Sequence, residues 1–161
     1  MLQSQVTSKS AWDGSTVVKR MLNYGCHCFP DNTKRAGGKG PVQDGYDALC
    51  KNLAKCQRCI EMDFVIDPYA TRYKWFVDSN TKEIKCSHPR NTELQRSLCE
   101  CDAKFAMDMG MVWEDNKWNS SLWHHRRNSD FSLDTETVCV GMNNGVENDN
   151  CCGDYRTFLV N

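Results

Sequence analysis

No stretch of this chain is apolar for the ~20 residues that a membrane-crossing helix needs, so a spanning segment is excluded on sequence grounds. Charge of one sign is also lacking: the net charge is -1 and the pI is near 6.4. A nucleic-acid binder shows a basic excess, and a strongly acidic mineral-matrix protein shows the opposite bias. Neither is present, although local clusters keep their own fields. There are no internal repeats and no low-complexity blocks. The start, Met1-Leu2-Gln3-Ser4, has no apolar signal core, so a leader is expected to have been removed or replaced ahead of this numbering.

What the chain has in abundance is cysteine, eleven in 161 residues. That density is foreign to a reducing compartment and ordinary in an oxidising one. Zinc is the rival explanation. Cys56-x-x-Cys59 has the spacing of half a zinc site, but no second Cys-x-x-Cys follows it. Cys26-x-Cys28, Cys99-x-Cys101 and Cys151-Cys152 are poor pairs for one tetrahedral ion, so disulfides and an extracellular location are expected. The odd count leaves at least one cysteine free or bonded to another chain. A hydrophobic fraction of 40% supplies one modest core, and a mean hydropathy of -0.65 gives a polar surface. One domain is expected: a core over 1–110 and an extension over 111–161 linked back to it by a disulfide.

Periodicity places the elements. A short amphipathic helix is expected from about Ser15 to Asn23, closed by Gly25. The segment from Cys26 to Pro41 is too rich in glycine and proline for regular structure. From about Asp44 to Met62, Tyr46, Leu49, Cys50, Leu53, Cys56 and Ile60 recur at three- and four-residue steps, which predicts a long helix. Alternation of Tyr73, Trp75 and Val77, a turn at Asp78-Ser79-Asn80, and the return at Ile84 predict a β-hairpin within residues 69–86. Thr92-Glu93-Leu94-Gln95 is a capping box opening a second long helix, with Leu94, Leu98, Cys101, Phe105 and Met109 as its buried stripe. Gly110 is its expected stop. The fold class is therefore mainly α with a small β-hairpin, heavily cross-linked.

These segments together resemble the secreted phospholipase A2 family. Asn23-Tyr24-Gly25-Cys26-His27-Cys28 is similar to the start of that family's calcium loop, and Gly37-Gly38-Lys39-Gly40-Pro41 to its end. Asp44 to Cys56 lies over the active-site helix, Asp67-Pro68-Tyr69 precedes the hairpin, and Cys99-Glu100-Cys101-Asp102 matches the second long helix. The resemblance implies two long antiparallel helices. It also implies the bridges Cys28–Cys50, Cys56–Cys101 and Cys86–Cys99, with Cys26 joined to a C-terminal cysteine. The family's bridge between the positions of Leu49 and Asp108 has lost both halves together.

The resemblance further implies where chemistry would sit. In the family a histidine on the first long helix takes a proton from water, and the next residue, an aspartate, holds Ca²⁺. Those positions are Leu53 and Ala54 here, and neither side chain accepts a proton or ligates a hard cation. The loop from Phe29 to Ala36 is longer than the family's and puts Phe29 where glycine is usual, so no cofactor is expected and calcium least of all. Asp31 and Asn32 in that loop are read as a solvated turn. Asp102, with Tyr73 and with Gln57 in place of a second tyrosine, is expected to be a buried structural carboxylate. His27, His88, His124 and His125 have no suggestive neighbours and are expected at the surface.

The chain is thus expected to be an inactive, otoconin-type relative and not an enzyme. Its leading role is a structural, matrix or protein-binding component, with self-assembly through an interchain disulfide among the options. Lipid or fatty-acid binding without hydrolysis is the alternative, and a calcium-dependent phospholipase with relocated residues the weakest reading. Trp113, Trp118 and Trp123 with Arg126 and Arg127 are candidate interface anchors, set against the possibility that the tail buries its own rings. Asn119-Ser120-Ser121 is a candidate glycosylation acceptor.

Overall fold

Helix α1 (Gly45–Phe64) starts where Asp44 turns its carboxylate back to accept the Asp47 N–H at 2.9 Å, satisfying one of the orphan donors of the first turn. It ends at Val65, whose φ of 52° is the left-handed cap conformation and whose N–H bonds the Glu61 carbonyl at 2.8 Å. The computed structural model describes residues 24–28, 38–65, 70–114, 119–122 and 133–140. The helix expected over residues 15–23 lies outside these, as do Asp31 and Asn32, the Asp67-Pro68-Tyr69 segment, and most of the tail.

After α1, strands β1 (Trp75–Val77) and β2 (Ile84–Cys86) form an antiparallel pair in the register Trp75↔Cys86, Phe76↔Lys85, Val77↔Ile84. The turn between them is braced by Asp78, whose Oδ1 accepts the N–H groups of Asn80 and Thr81. Helix α2 (Glu93–Glu114) opens on the capping box in both directions: Gln95 N–H to Thr92 Oγ1 at 3.3 Å, and Thr92 N–H to Gln95 Oε1 at 2.9 Å. Gly110 does not stop this helix, as the sequence suggested; four more residues follow. The Tyr46 hydroxyl bonds the Val112 carbonyl at 2.8 Å and Val112 packs on the core, which offsets the ~1 kcal/mol that an interior glycine costs. A 3₁₀ turn (Ser120–Leu122) and a four-residue helix α3 (Thr135–Val138) complete the described elements.

The start of α1 meets the end of α2 through Tyr46 and Val112, while their middles are joined by Cys56–Cys101, so the two long helices run antiparallel. Between them lies a core of Tyr24, Tyr46, Leu53, Ile60, Leu98, Phe105 and Met109. The hairpin buries one face on the other side of α2. Ile84 packs against Ala103 and Ala106, whose small side chains let the strand approach, with Trp75 and Cys86 beside them. Cys86–Cys99 fastens that contact and Cys28–Cys50 anchors α1 to the loop before it. These are the pairs the resemblance implied. Cys26 is bonded to Cys139 across a sequence separation of 113, and Cys59 is also disulfide-bonded.

Candidate functional site

Leu53 and Gln57 lie one turn apart on α1, so their side chains share a face. Leu53 is only 7% exposed and belongs to the interhelical core, with Ala54 packed against the same cluster. One turn on, Gln57 Nε2 donates to Asp102 Oδ1 at 3.2 Å, and the Tyr73 hydroxyl donates a short hydrogen bond to the other carboxylate oxygen. Three elements therefore converge on one carboxylate: α1, the segment entering the hairpin, and α2. Burial pushes the Asp102 carboxyl above its ordinary range, against the opposing pull of the Tyr73 and Gln57 hydrogen bonds. Burial, then the adjacent carboxylate charge, push the Tyr73 phenol far up, so it remains a donor.

A carboxyl whose folded pKa lies above its unfolded value holds its proton longer in the folded state. Its contribution to stability is complete below the unfolded value near 3.8 and is lost as the pH rises through the folded pKa. Asp102→Asn keeps a hydrogen-bonding amide at this point and removes the charge. The variant should unfold with a flatter pH dependence from about pH 4 upward and be the more stable protein at neutral pH, as read by denaturant midpoints across pH.

A second carboxylate, which nothing in its local sequence singles out, organises the loop ahead of α1. Asp47 is completely buried; its Oδ1 accepts the His27 N–H at 2.6 Å and its Oδ2 the Gln43 N–H at 3.0 Å. Gly25, at φ 56°, makes room for it, since a Cβ there would lie 2.4 Å from the carboxylate carbon. His27, expected at the surface, is instead 4% exposed, its Nε2 lying 3.1 Å from the Gly40 carbonyl oxygen. The correction has a plain cause: the turn at residues 24–28 is folded down over Asp47, twenty residues on, and local sequence does not show this. His88 is exposed, as expected; His124 and His125 lie outside the described residues.

The same turn is tied to the C-terminal part. Gly25 N–H bonds the Leu122 carbonyl at 2.8 Å, and the Tyr24 hydroxyl accepts the Asn119 N–H at 3.2 Å while donating to Asp44. Burial raises the Tyr24 phenol well above its ordinary range, reinforced by that bond to Asp44. Asn119 itself is exposed, its Oδ1 accepting the Ser121 N–H at 3.1 Å and the Ser121 hydroxyl at 2.7 Å. Trp113 falls in the last turn of α2, and Trp118, Trp123, Arg126 and Arg127 lie outside the described residues. Among the described residues no group of three or more His, Cys, Asp or Glu is placed to hold a metal ion, and no helix is long and apolar enough to cross a membrane. Compared with models of known families, residues 1–121 match the one described as Phospholipase A2.

Proposed function

The chain belongs to the phospholipase A2 family, and on that premise we propose that it is an extracellular binding or structural component and not a hydrolase. The observation that carries this is the pair at the catalytic positions. Leu53 gives its side chain to the interhelical core and Ala54 has no ligating atom. Asp102 keeps its tyrosine but has only a glutamine amide as its second partner, so it braces the helices instead of orienting a base. A calcium ion does not fit the described residues. Ala54 offers it no oxygen, and the two oxygens of Asp47 already accept backbone N–H groups. Lipid binding without turnover is less well supported, because Leu53, 7% exposed, is taken up by packing in the interhelical core. Nine disulfide-bonded cysteines among the described residues support an extracellular setting.

Assembly through cysteine is the form of binding favoured here. Of eleven cysteines, eight are paired with one another and Cys59 is bonded as well. Cys151 and Cys152 remain as candidates for its partner, with one of them left over for a second chain. Light scattering on the non-reduced protein should then give twice the 18.5 kDa chain mass, falling to 18.5 kDa on reduction. A protein that is strictly monomeric and carries no thiol reactive to alkylation would sink covalent assembly.

A further inference from the structure

Residues 70–96, which hold the hairpin and its link to α2, carry six cations (Arg72, Lys74, Lys82, Lys85, Arg90, Arg96) against three acids (Asp78, Glu83, Glu93). That is a charge of +3 in a chain whose net charge is -1. The hairpin's inward face is spent on α2. Its outward face presents the cross-strand pair Phe76 and Lys85, and Phe76 is 51% exposed. Beside that pair runs an open cleft of about 740 Å³, lined by Phe76, Lys85, His88 and Arg90, with Asp78 at the turn. Arg90 is exposed and, among the described residues, forms no ion pair. Lys85 is paired only with Glu83, both roughly half exposed, and such surface pairs are worth ~0–1 kcal/mol, so a competing anion displaces Glu83 cheaply. Arg96 donates to His88 Nε2 at 2.7 Å, holding the imidazole at the cleft edge.

We propose that this outer face of the hairpin is a docking site for a sulfated polysaccharide. The argument is charge complementarity around an aromatic ring. Two cations, Lys85 and Arg90, line the open cleft beside His88, with Asp78 the one acid in the lining. Cations held apart in this way suit a polymer with charges at intervals, whereas a single small anion requires donors converging on one point. The flat apolar face of Phe76, set among those cations, matches the C–H face of a sugar ring, which a bare polyanion does not need. A membrane surface is the poorer fit. Interfacial binding scales with a broad apolar face, and the hairpin exposes only Phe76 and Val77 as large apolar side chains. This names a partner for the binding reading above but does not depend on covalent assembly. A monomer that docks the polymer keeps this proposal and sinks the other.

The test is titration of the full-length protein with a heparin octasaccharide, poly-glutamate and phosphatidylserine vesicles at several salt concentrations. Saturable binding to the octasaccharide that weakens with salt is expected. Lys85→Glu with Arg90→Glu should weaken it about tenfold or more and flatten its salt dependence. Phe76→Ser should weaken it while leaving the salt dependence unchanged. The proposal is overturned if the octasaccharide does not bind, or if poly-glutamate or vesicles bind as tightly. It is also overturned if Lys51→Glu with Lys55→Glu, on α1, weakens binding as much as the cleft variants do.

Discussion

Given micellar phospholipid and excess calcium, the protein should release no fatty acid above the uncatalysed background. The size of the expected deficit follows from what is missing. A positioned general base contributes about 10²–10⁴-fold, and stabilising the developing oxyanion contributes about 10²–10³-fold per donor or more. A relative that carries both groups should therefore be faster by about 10⁴-fold at the least, even allowing for the non-additivity of groups that act together. The retained carboxylate should not rescue the reaction, since both oxygens of Asp102 are engaged, by Tyr73 and by Gln57, and neither partner is a histidine. Calcium-dependent release of fatty acid that disappears in Asp102→Asn would revive the hydrolase reading, and it is the result to look for first.

The second large effect concerns stability. Replacing Cys26 and Cys139 together by serine should cost about 4 kcal/mol on the chain-entropy estimate, within the 2–5 kcal/mol typical of native bridges. The separation of 113 residues is the longest among the described bridges, and although the others shorten the effective loop, the dependence is only logarithmic. The site compounds the loss. Cys26 and Cys139 form a small buried cluster with Leu133, so two serine hydroxyls would be left there in apolar surroundings. Residues 38–40 are threaded against both ends of the bridge. A Cβ on Gly38 would sit 1.7 Å from the Cys26 carbonyl oxygen, and one on Gly40, at φ 92°, would sit 2.8 Å from the Cys139 backbone. Gly38→Ala should therefore fail to fold or lose as much as the serine pair. Gly45→Ala meets nothing within 4 Å and should leave the thermal midpoint unchanged or raise it.

The elements legible in the sequence were those whose evidence is local. The stripe of α1, the capping box of α2 and the alternation around Trp75 each repeat within a few residues, so each could be read without its partner. The Cys28, Cys56 and Cys86 pairings followed from resemblance, because spacing alone leaves many connectivities open. What stayed hidden was made by approach between distant segments. Asp47 looks like an ordinary first-turn acid until the turn at residues 24–28 is laid over it, and His27 looks like a loop residue until Gly40 covers its ring. Gly110 failed as a stop for the same reason: Tyr46, on the other helix, holds the last turn in place. At the candidate site the chemistry of Leu53 and Ala54 was plain from identity, but the commitment of Leu53 to the core needed the fold.

The hairpin's two-residue alternation divides its positions between separate tasks. Trp75, Ile84 and Cys86 answer to the helix beneath them, while Phe76 and Lys85, the latter paired with nearby Glu83, face solvent and whatever arrives from it. Substitutions on the outer set can therefore accumulate with little penalty to the scaffold. A lineage that had given up turnover would be free to retune what it recognises there, one exposed side chain at a time.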